Sequence, residues 1–330
     1  MGEFEVLRRV RERLGAAGGR VRLGSGDDAA VTLPGGATAT SVDALVEGVH
    51  FRRGQASLAQ IGRKALAAAL SDLAAMGAEA GEAYVVLGVP ADLDEDGCLE
   101  LLDGIAALAE STGTALAGGD LTRAAELFLA VTVVGHGDSP EAFVPRGGAR
   151  PGERLVLSGE LGGAAAGLAL LQEPELVAGL DTEHLLARQL EPAPRLAAGR
   201  ALAEAGATAM IDLSDGLGGD AGHVGERSGA ALRIDAAALP LAEGVAEVAA
   251  ALGRDPRELA CAGGEDYELL ASVPAERVGE ARRLVAEAEA GLALTEVGEV
   301  LAGDSVEIRL PDGRLLEPAG FDQLDRGPRR

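Results

Sequence analysis

The sequence predicts an α/β chain with α+β character, folded as two domains. Three observations carry this. Short apolar runs alternate with stretches of helical period along most of the chain. Its 330 residues exceed what a single core usually serves. A turn-rich joint, Pro145-Arg146-Gly147-Gly148-Ala149-Arg150-Pro151-Gly152, breaks the alternation and sets the boundary, giving domains at 1–148 and 149–330.

In the first half, residues 4–14 read as a helix and Thr38–Val42 as a strand ending in Asp43. Ser57 to Met76 carries small apolar residues at helical spacing behind a Ser suited to N-capping. Tyr84–Val89 reads as a strand, Glu95–Thr112 as a helix, Thr114–Ala117 as a short strand and Leu127–Gly135 as a longer one. Beyond the joint, strands are expected at Arg154–Ser158, Thr208–Leu213, Ala231–Asp235, Tyr267–Val273, Leu292–Val300 and Ser305–Leu310. Helices are expected at Gly163–Leu171, 182–190, 194–205, Asp215–Ser228 and Ala275–Ala288.

Hydrophobic residues make up 47% of the chain and aromatics 2%, with no Trp, so Ala, Leu and Val must build the cores. A net charge of −24 disfavours nucleic acid as a partner. No long uncharged apolar run suggests a membrane span or a signal peptide. Cys98 and Cys261 stand apart and outside any C-x-x-C, which fits packing residues and a cytoplasmic protein. Lys64 is the only lysine, so arginines carry nearly all the positive charge.

Acids set among glycines and apolar residues carry the chemical signal. Gly24-Ser25-Gly26-Asp27-Asp28-Ala29 matches a G-x-G-x-x-A dinucleotide turn, but two carboxylates there repel a phosphate unless divalent cations intervene. Asp72 shares the face of Ala65, Ala68, Ala69 and Met76 on its helix, where a carboxylate needs a hydrogen-bond partner or a cation. Asp43, Asp120 after Gly118-Gly119, and Asp212 with Asp215 in Ile211-Asp212-Leu213-Ser214-Asp215-Gly216-Leu217 are all expected at strand ends or helix starts. Taken singly, Ser214 or Asp215 also fits an N-cap, Asp120 a turn, His50 a structural hydrogen bond and Arg146 a solvated surface. Gly263-Gly264-Glu265-Asp266-Tyr267-Glu268 fits either a binding loop for a cationic group or a solvated turn. EF-hand, P-loop and H-E-x-x-H patterns are absent, and hard oxygen donors favour Mg²⁺ over zinc.

In order, Gly2-Glu3-Phe4, Gly26-Asp27-Asp28-Ala29, Ser41 to Phe51, Ser71 to Ala78, Gly118-Gly119-Asp120, Ile211 to Leu217 and Gly263 to Leu269 resemble the thiamine-monophosphate kinase family. That family belongs to the aminoimidazole ribonucleotide synthetase-like superfamily. The resemblance implies an N-terminal ATP- and Mg²⁺-binding domain whose sheet forms a homodimer, and a C-terminal α/β domain. It implies ATP as co-substrate and several Mg²⁺ ions served by Asp28, Ser41, the Val42 backbone, Asp43, Asp72, Asp120, Asp212 and Asp215. It places ATP on Gly119, Asp120, Arg146 and Ser214, and thiamine monophosphate on His50, Glu265 and Phe321. No catalytic general base is expected, because the attacking phosphate oxygen is already anionic. Among relatives, selenophosphate synthetase expects a reactive N-terminal Cys or selenocysteine and the hydrogenase-maturation protein a C-terminal Cys; the chain has neither.

Overall fold

The computed structural model describes residues 9, 19–23, 29–33, 35–177, 179–316, 320 and 321. Gly2-Glu3-Phe4, the helix expected over 4–14 apart from Arg9, and the Gly24–Asp28 turn with Asp28 lie outside the described residues. The chain forms two compact units, Met1–Ala74 with Ala78–Phe143, and Ala75–Gly77 with Val144–Arg330.

In the first unit, β1 (Val21–Leu23) and β2 (Val31–Thr32) form a small ribbon. Then follow β3 (Ala37–Val46), α1 (Leu58–Ala75), β4 (Glu79–Val89), α2 (Glu95–Thr112), β5 (Ala115–Arg123) and β6 (Phe128–Gly137). Four strands pair in the order β3-β6-β4-β5, and only β4 and β5 run parallel. Asp94 starts α2 by accepting from Gly97 N–H, and Gly113 ends it in the left-handed region at φ 70°. One face of the sheet meets α1: Ser41 touches Asp72, and the Leu73 side chain lies against Gly135. On the opposite face the β3 residues Thr38, Thr40, Val42 and Ala44 are exposed.

The helices α1 and α2 cross at backbone distance. A Cβ added to Gly104 would stand 1.9 Å from the Ala59 carbonyl oxygen, so only glycine fits. That close crossing buries the Leu66, Leu70, Leu101 and Ile105 side chains completely or nearly so.

The second unit contains β7 (Arg154–Ser158), α3 (Gly163–Gln172), α4 (Glu183–Leu190), α5 (Leu196–Glu204), β8 (Ala209–Asp212), α6 (Leu217–Ser228) and β9 (Ala231–Asp235). It continues through α7 (Val245–Ala251), α8 (Pro256–Ala262), β10 (Leu269–Val273), α9 (Val278–Ala288), β11 (Leu294–Leu301), β12 (Val306–Arg309) and β13 (Leu315–Leu316). Among the described residues these strands make one seven-stranded sheet in the order β13-β12-β9-β11-β7-β10-β8. Leu217, Ala221 and Val224 of α6 pack into the main core with β7, β8, β9 and β12 residues. A second cluster joins α3, α4, α7 and α8 through Ala166, Leu185, Val245 and Leu259. Both cysteines are buried, as packing residues should be.

The structure corrects several expectations. The strand expected to end at Asp43 runs on to Val46, and the one expected to stop before Gly118 runs to Arg123. Asp43 and Asp120 therefore sit inside strands, not at their ends. The helix expected from Asp215 starts at Leu217. Helices α7 and α8 were not anticipated, although Asp255 before Pro256 is an N-cap and N1 pair, and Asp255 accepts from Arg257 and Glu258 N–H.

Gly104→Ala should lower stability by about 1–3 kcal/mol, the usual range for overpacking. Gly222→Ala, inside α6 with open space around it, should raise it by up to about 1 kcal/mol through helix propensity. Denaturant unfolding of both variants checks this; equal effects would show that the crossing yields.

Candidate active site

In the first unit, alternation along β3 decides which groups share a face. Ser41 and Asp43 point to the α1 side, where the Ser41 hydroxyl donates to the Asp72 carboxylate. Asp72 is half-buried and has found the partner its apolar surroundings demand. Asp43 accepts the Ala44 N–H at 2.7 Å. The Val42 side chain turns to the other face and is 67% exposed, so toward Ser41 and Asp43 it offers backbone alone.

The sheet does not bring Asp43 and Asp120 together. Asp43 pairs with Val131, Val131 with Val85, and Val85 with Gly119. Those are three strand spacings, about 14 Å at roughly 4.8 Å each. Gly119 lies against β4 so closely that an added Cβ would be 1.9 Å from the Val85 carbonyl oxygen. The Gly118-Gly119 pair thus serves strand contact where a turn was expected.

His50 sits in the tight loop after β3. Val46 N–H donates to its Nδ1 at 3.0 Å, while His50 N–H returns to the Val46 carbonyl at 3.0 Å. With Nδ1 accepting, a neutral ring carries its proton on Nε2 and keeps that donor for another group.

In the second unit, β8 delivers Asp212, only 2% exposed, to a loop from which three others hang. Tyr267 N–H reaches the Leu213 carbonyl at 2.9 Å, Glu265 N–H the Ser214 carbonyl at 2.9 Å, and Phe321 N–H the Asp215 carbonyl at 2.9 Å. The Phe321 ring remains 54% exposed. Asp220, one turn into α6, reaches back and accepts Asp215 and Gly216 N–H, both at 3.1 Å. Sequence reasoning missed Asp220; the signal was its spacing after Asp215-Gly216, which lets a first-turn acid cap its own helix. Burial, then Asp212 and Asp215, push the Asp220 carboxyl up to about 8.

The glycine-rich loop before β10 separates its acids by role. Glu265 and Tyr267 both adopt positive φ, 67° and 51°, a costly conformation for such side chains. Asp266 accepts Gly162 N–H at 2.8 Å and Ala164 N–H at 3.1 Å at the start of α3. Buried Glu268 takes Ser158 Oγ at 2.6 Å, Arg195 Nε at 2.8 Å and Arg188 Nη1 at 3.2 Å. Asp266 and Glu268 are therefore internal struts, and the expectation that this loop's acids meet a cation narrows to Glu265. Its own carboxylate accepts Gln189 Nε2 at 2.6 Å.

Arg146 is exposed, and Pro145 beside it accepts Met210 N–H at 3.0 Å, which fastens this turn to β8. Among the described residues no three His, Cys, Asp or Glu side chains form a metal-holding group. The chemistry of the donors still suits a hard cation: Ser41 and Asp72 offer a hydroxyl and a carboxylate side by side, and Asp212 and Asp215 both raise the Asp220 carboxyl, which a nearby positive charge would lower.

The family model "AIR synthase related protein, N-terminal domain" matches residues 26–136, and "AIR synthase related protein, C-terminal domain" matches residues 150–311. A thiamine-monophosphate kinase of Mycobacterium tuberculosis is 41% identical over 275 residues, 82% of this chain and 80% of its own. The crystal structure of the Stenotrophomonas maltophilia K279a thiamine-monophosphate kinase aligns with TM-score 0.82 and 37% identity, over 96% of this chain and 98% of that one. A structure described as "AaThiL complexed with AMPPCP and TMP" aligns with TM-score 0.77 and 30% identity, over 98% and 97%.

The Asp266 carboxyl is pushed up to about 7, mainly by burial and against its two backbone hydrogen bonds. An unfolded Asp ionises near 4. Between those values the folded state holds the proton and the unfolded state does not, so stability falls as pH rises through the interval. Asp266→Asn removes that loss. Its melting temperature should gain on wild type between roughly pH 4.5 and pH 7.5; parallel melting curves would contradict the assignment.

Proposed function

The chain belongs to the AIR synthase related family, and within it to the thiamine-monophosphate kinases, and from this we propose how its residues perform the reaction. It catalyses ATP-dependent phosphorylation of thiamine monophosphate to thiamine diphosphate. A phosphate oxygen of thiamine monophosphate forms a bond to the γ-phosphorus of ATP, the bond from that phosphorus to the β–γ bridging oxygen breaks, and ADP leaves. The observation that carries this is the end-to-end likeness to a structure holding an ATP analogue and TMP.

The attacking oxygen is anionic, so the residues need to align two anions and offset their charge. We assign Asp28, Ser41, the Val42 backbone, Asp43, Asp72, Asp120, Asp212 and Asp215 to holding Mg²⁺. Bound Mg²⁺ neutralises charge on the phosphates and on the departing ADP. Lys64 is buried in α1, which supports a site that relies on metal, arginine and backbone amides for positive charge. Gly119, Asp120, Arg146 and Ser214 contact ATP. His50, through its Nε2–H, meets the substrate phosphate; Glu265 faces the cationic thiazolium, and Phe321 packs on the substrate's rings.

The N-terminal unit also forms the dimer, through the sheet face that carries Thr40, Val42 and Ala44. Their exposure in the single chain supports this reading. Among the described residues no helix is long and apolar enough to cross a membrane. Two separate, buried thiols suit a reducing cytoplasm.

Incubation with ATP, Mg²⁺ and thiamine monophosphate should yield thiamine diphosphate and ADP. Free thiamine should be a poor acceptor, since its hydroxyl would need a base. In the same assay Asp72→Asn, which can still accept from Ser41, should lose at least about a hundredfold in kcat/KM, roughly 2.7 kcal/mol, with its fold intact. A folded variant within about threefold of wild type would remove Asp72 from metal binding. A wild-type enzyme that leaves thiamine monophosphate untouched would overturn the function.

A further inference from the structure

Arg53 follows His50 in the same loop and ties that loop to a second one. Its Nε donates to both carboxylate oxygens of Glu47, at 2.8 and 2.9 Å. Its Nη2 donates to both oxygens of Asp92, at 3.3 and 3.0 Å. No metal, nucleotide or substrate role falls to any of these three residues.

The sheet explains why one arginine can reach both acids. Phe128, the first residue of β6, pairs with Val46 at the end of β3 and with Gly88 near the end of β4. The loops after β3 and β4 therefore leave the sheet at the same end, two strand spacings or about 10 Å apart. The loop after β3 carries Glu47, His50 and Arg53, and the connection from β4 to α2 carries Asp92. Arg53 bridges the two.

The backbone alone closes the turn around His50. The Val46 carbonyl accepts Val49 N–H at 3.1 Å and His50 N–H at 3.0 Å, and Gly48 N–H reaches the Phe51 carbonyl at 2.8 Å. Gly48 makes this turn in the left-handed region, at φ 81°. These bonds set the shape of the turn. The Glu47–Arg53 pair closes it again at the level of side chains, with His50 midway between the two partners, and Asp92 fastens it to the neighbouring loop.

The two arms differ in shelter. The Arg53 and Glu47 side chains are 26% and 17% exposed, and Asp92 is 68% exposed. The sheltered Glu47 arm, charge-assisted on both oxygens, carries more of the clamp than the solvated Asp92 arm does. Without the guanidinium, two carboxylates that now share one cation would repel each other across the gap between the loops.

We propose that Arg53 is a positioning residue for the substrate phosphate, acting through His50: by clamping Glu47 and Asp92 it fixes the loop that aims the His50 Nε2–H. The proposal rests on the assignment of His50 to that phosphate and adds what holds His50 in place. Displacing a binding group by about 1 Å can cost about a hundredfold in rate, so a clamp remote from the reacting atoms is felt in the kinetics.

The test is a double-mutant cycle. Steady-state kinetics, with thiamine monophosphate and ATP varied in turn, are measured for wild type, His50→Ala, Arg53→Met, Arg53→Lys and the double variant of His50→Ala with Arg53→Met, each checked by a thermal melt. Arg53→Met should raise KM for thiamine monophosphate at least about tenfold and leave KM for ATP within about twofold. Arg53→Lys keeps the charge but loses the planar fork, so its rise should be smaller, about threefold, and it carries the test if Arg53→Met does not fold. The double variant should be no worse than His50→Ala, within about twofold, because a residue that acts through another adds nothing once that other is gone. If His50→Ala leaves KM for thiamine monophosphate unchanged, the assignment of His50 fails and this proposal with it. If His50→Ala raises that KM while both Arg53 variants match wild type, or if the penalties of His50→Ala and Arg53→Met add in full, this proposal alone is overturned.

Discussion

The second unit's site hangs on the loop after β8, which sets Asp212 and Asp215 beside buried Asp220. Strand β8 and the first turn of α6 hold these carboxylates near one another, and burial raises the penalty for ionising Asp220. The same short loop anchors the segments carrying Glu265, Tyr267 and Phe321 through backbone hydrogen bonds. Charge balance at this loop therefore bears on every group that hangs from it. A positive charge beside Asp212 and Asp215 would lower the penalty for ionising Asp220.

The same logic accounts for what the site leaves out. A nucleophile that arrives ionised needs no base, so the reaction proposed for this chain leaves its carboxylates for metal binding and His50 for hydrogen bonding. The strained backbone at Glu265 and Tyr267 is held by two internal struts, Asp266 on the start of α3 and Glu268 between Arg188 and Arg195. These buried partners are what let a non-glycine residue persist at positive φ and present a carboxylate at a defined point.

Much of the fold was legible in the sequence because local rules agreed with packing. Arg154–Ser158 and Ala231–Asp235 are strands over the whole of the expected spans, and Glu95–Thr112 is a helix between a capping Asp94 and Gly113. Asp212 was legible near the end of an apolar strand, which was expected to run to Leu213 and stops at Asp212. Asp43 and Asp120 were misplaced because small and polar residues in β3 and β5 resemble loop, and because Gly118-Gly119 reads as a turn when its use is close approach to β4. Asp220 was hidden by its place on a helix with many polar residues, where an acid looks solvated. Only the backbone donors at Asp215 and Gly216 show its role. The α7 and α8 helices are one to two turns long, too short for periodicity to mark them.

In the reaction proposed for this chain, these carboxylates bind nucleotide through divalent cations. Thermal unfolding with Mg²⁺ alone, ATP alone and both together tests it most directly, because a ligand that binds only the folded state raises stability by mass action, about 2.7 kcal/mol at a hundred times its Kd. ATP with Mg²⁺ should raise Tm by more than the two separate shifts combined. An ATP shift of the same size with and without Mg²⁺ would contradict it.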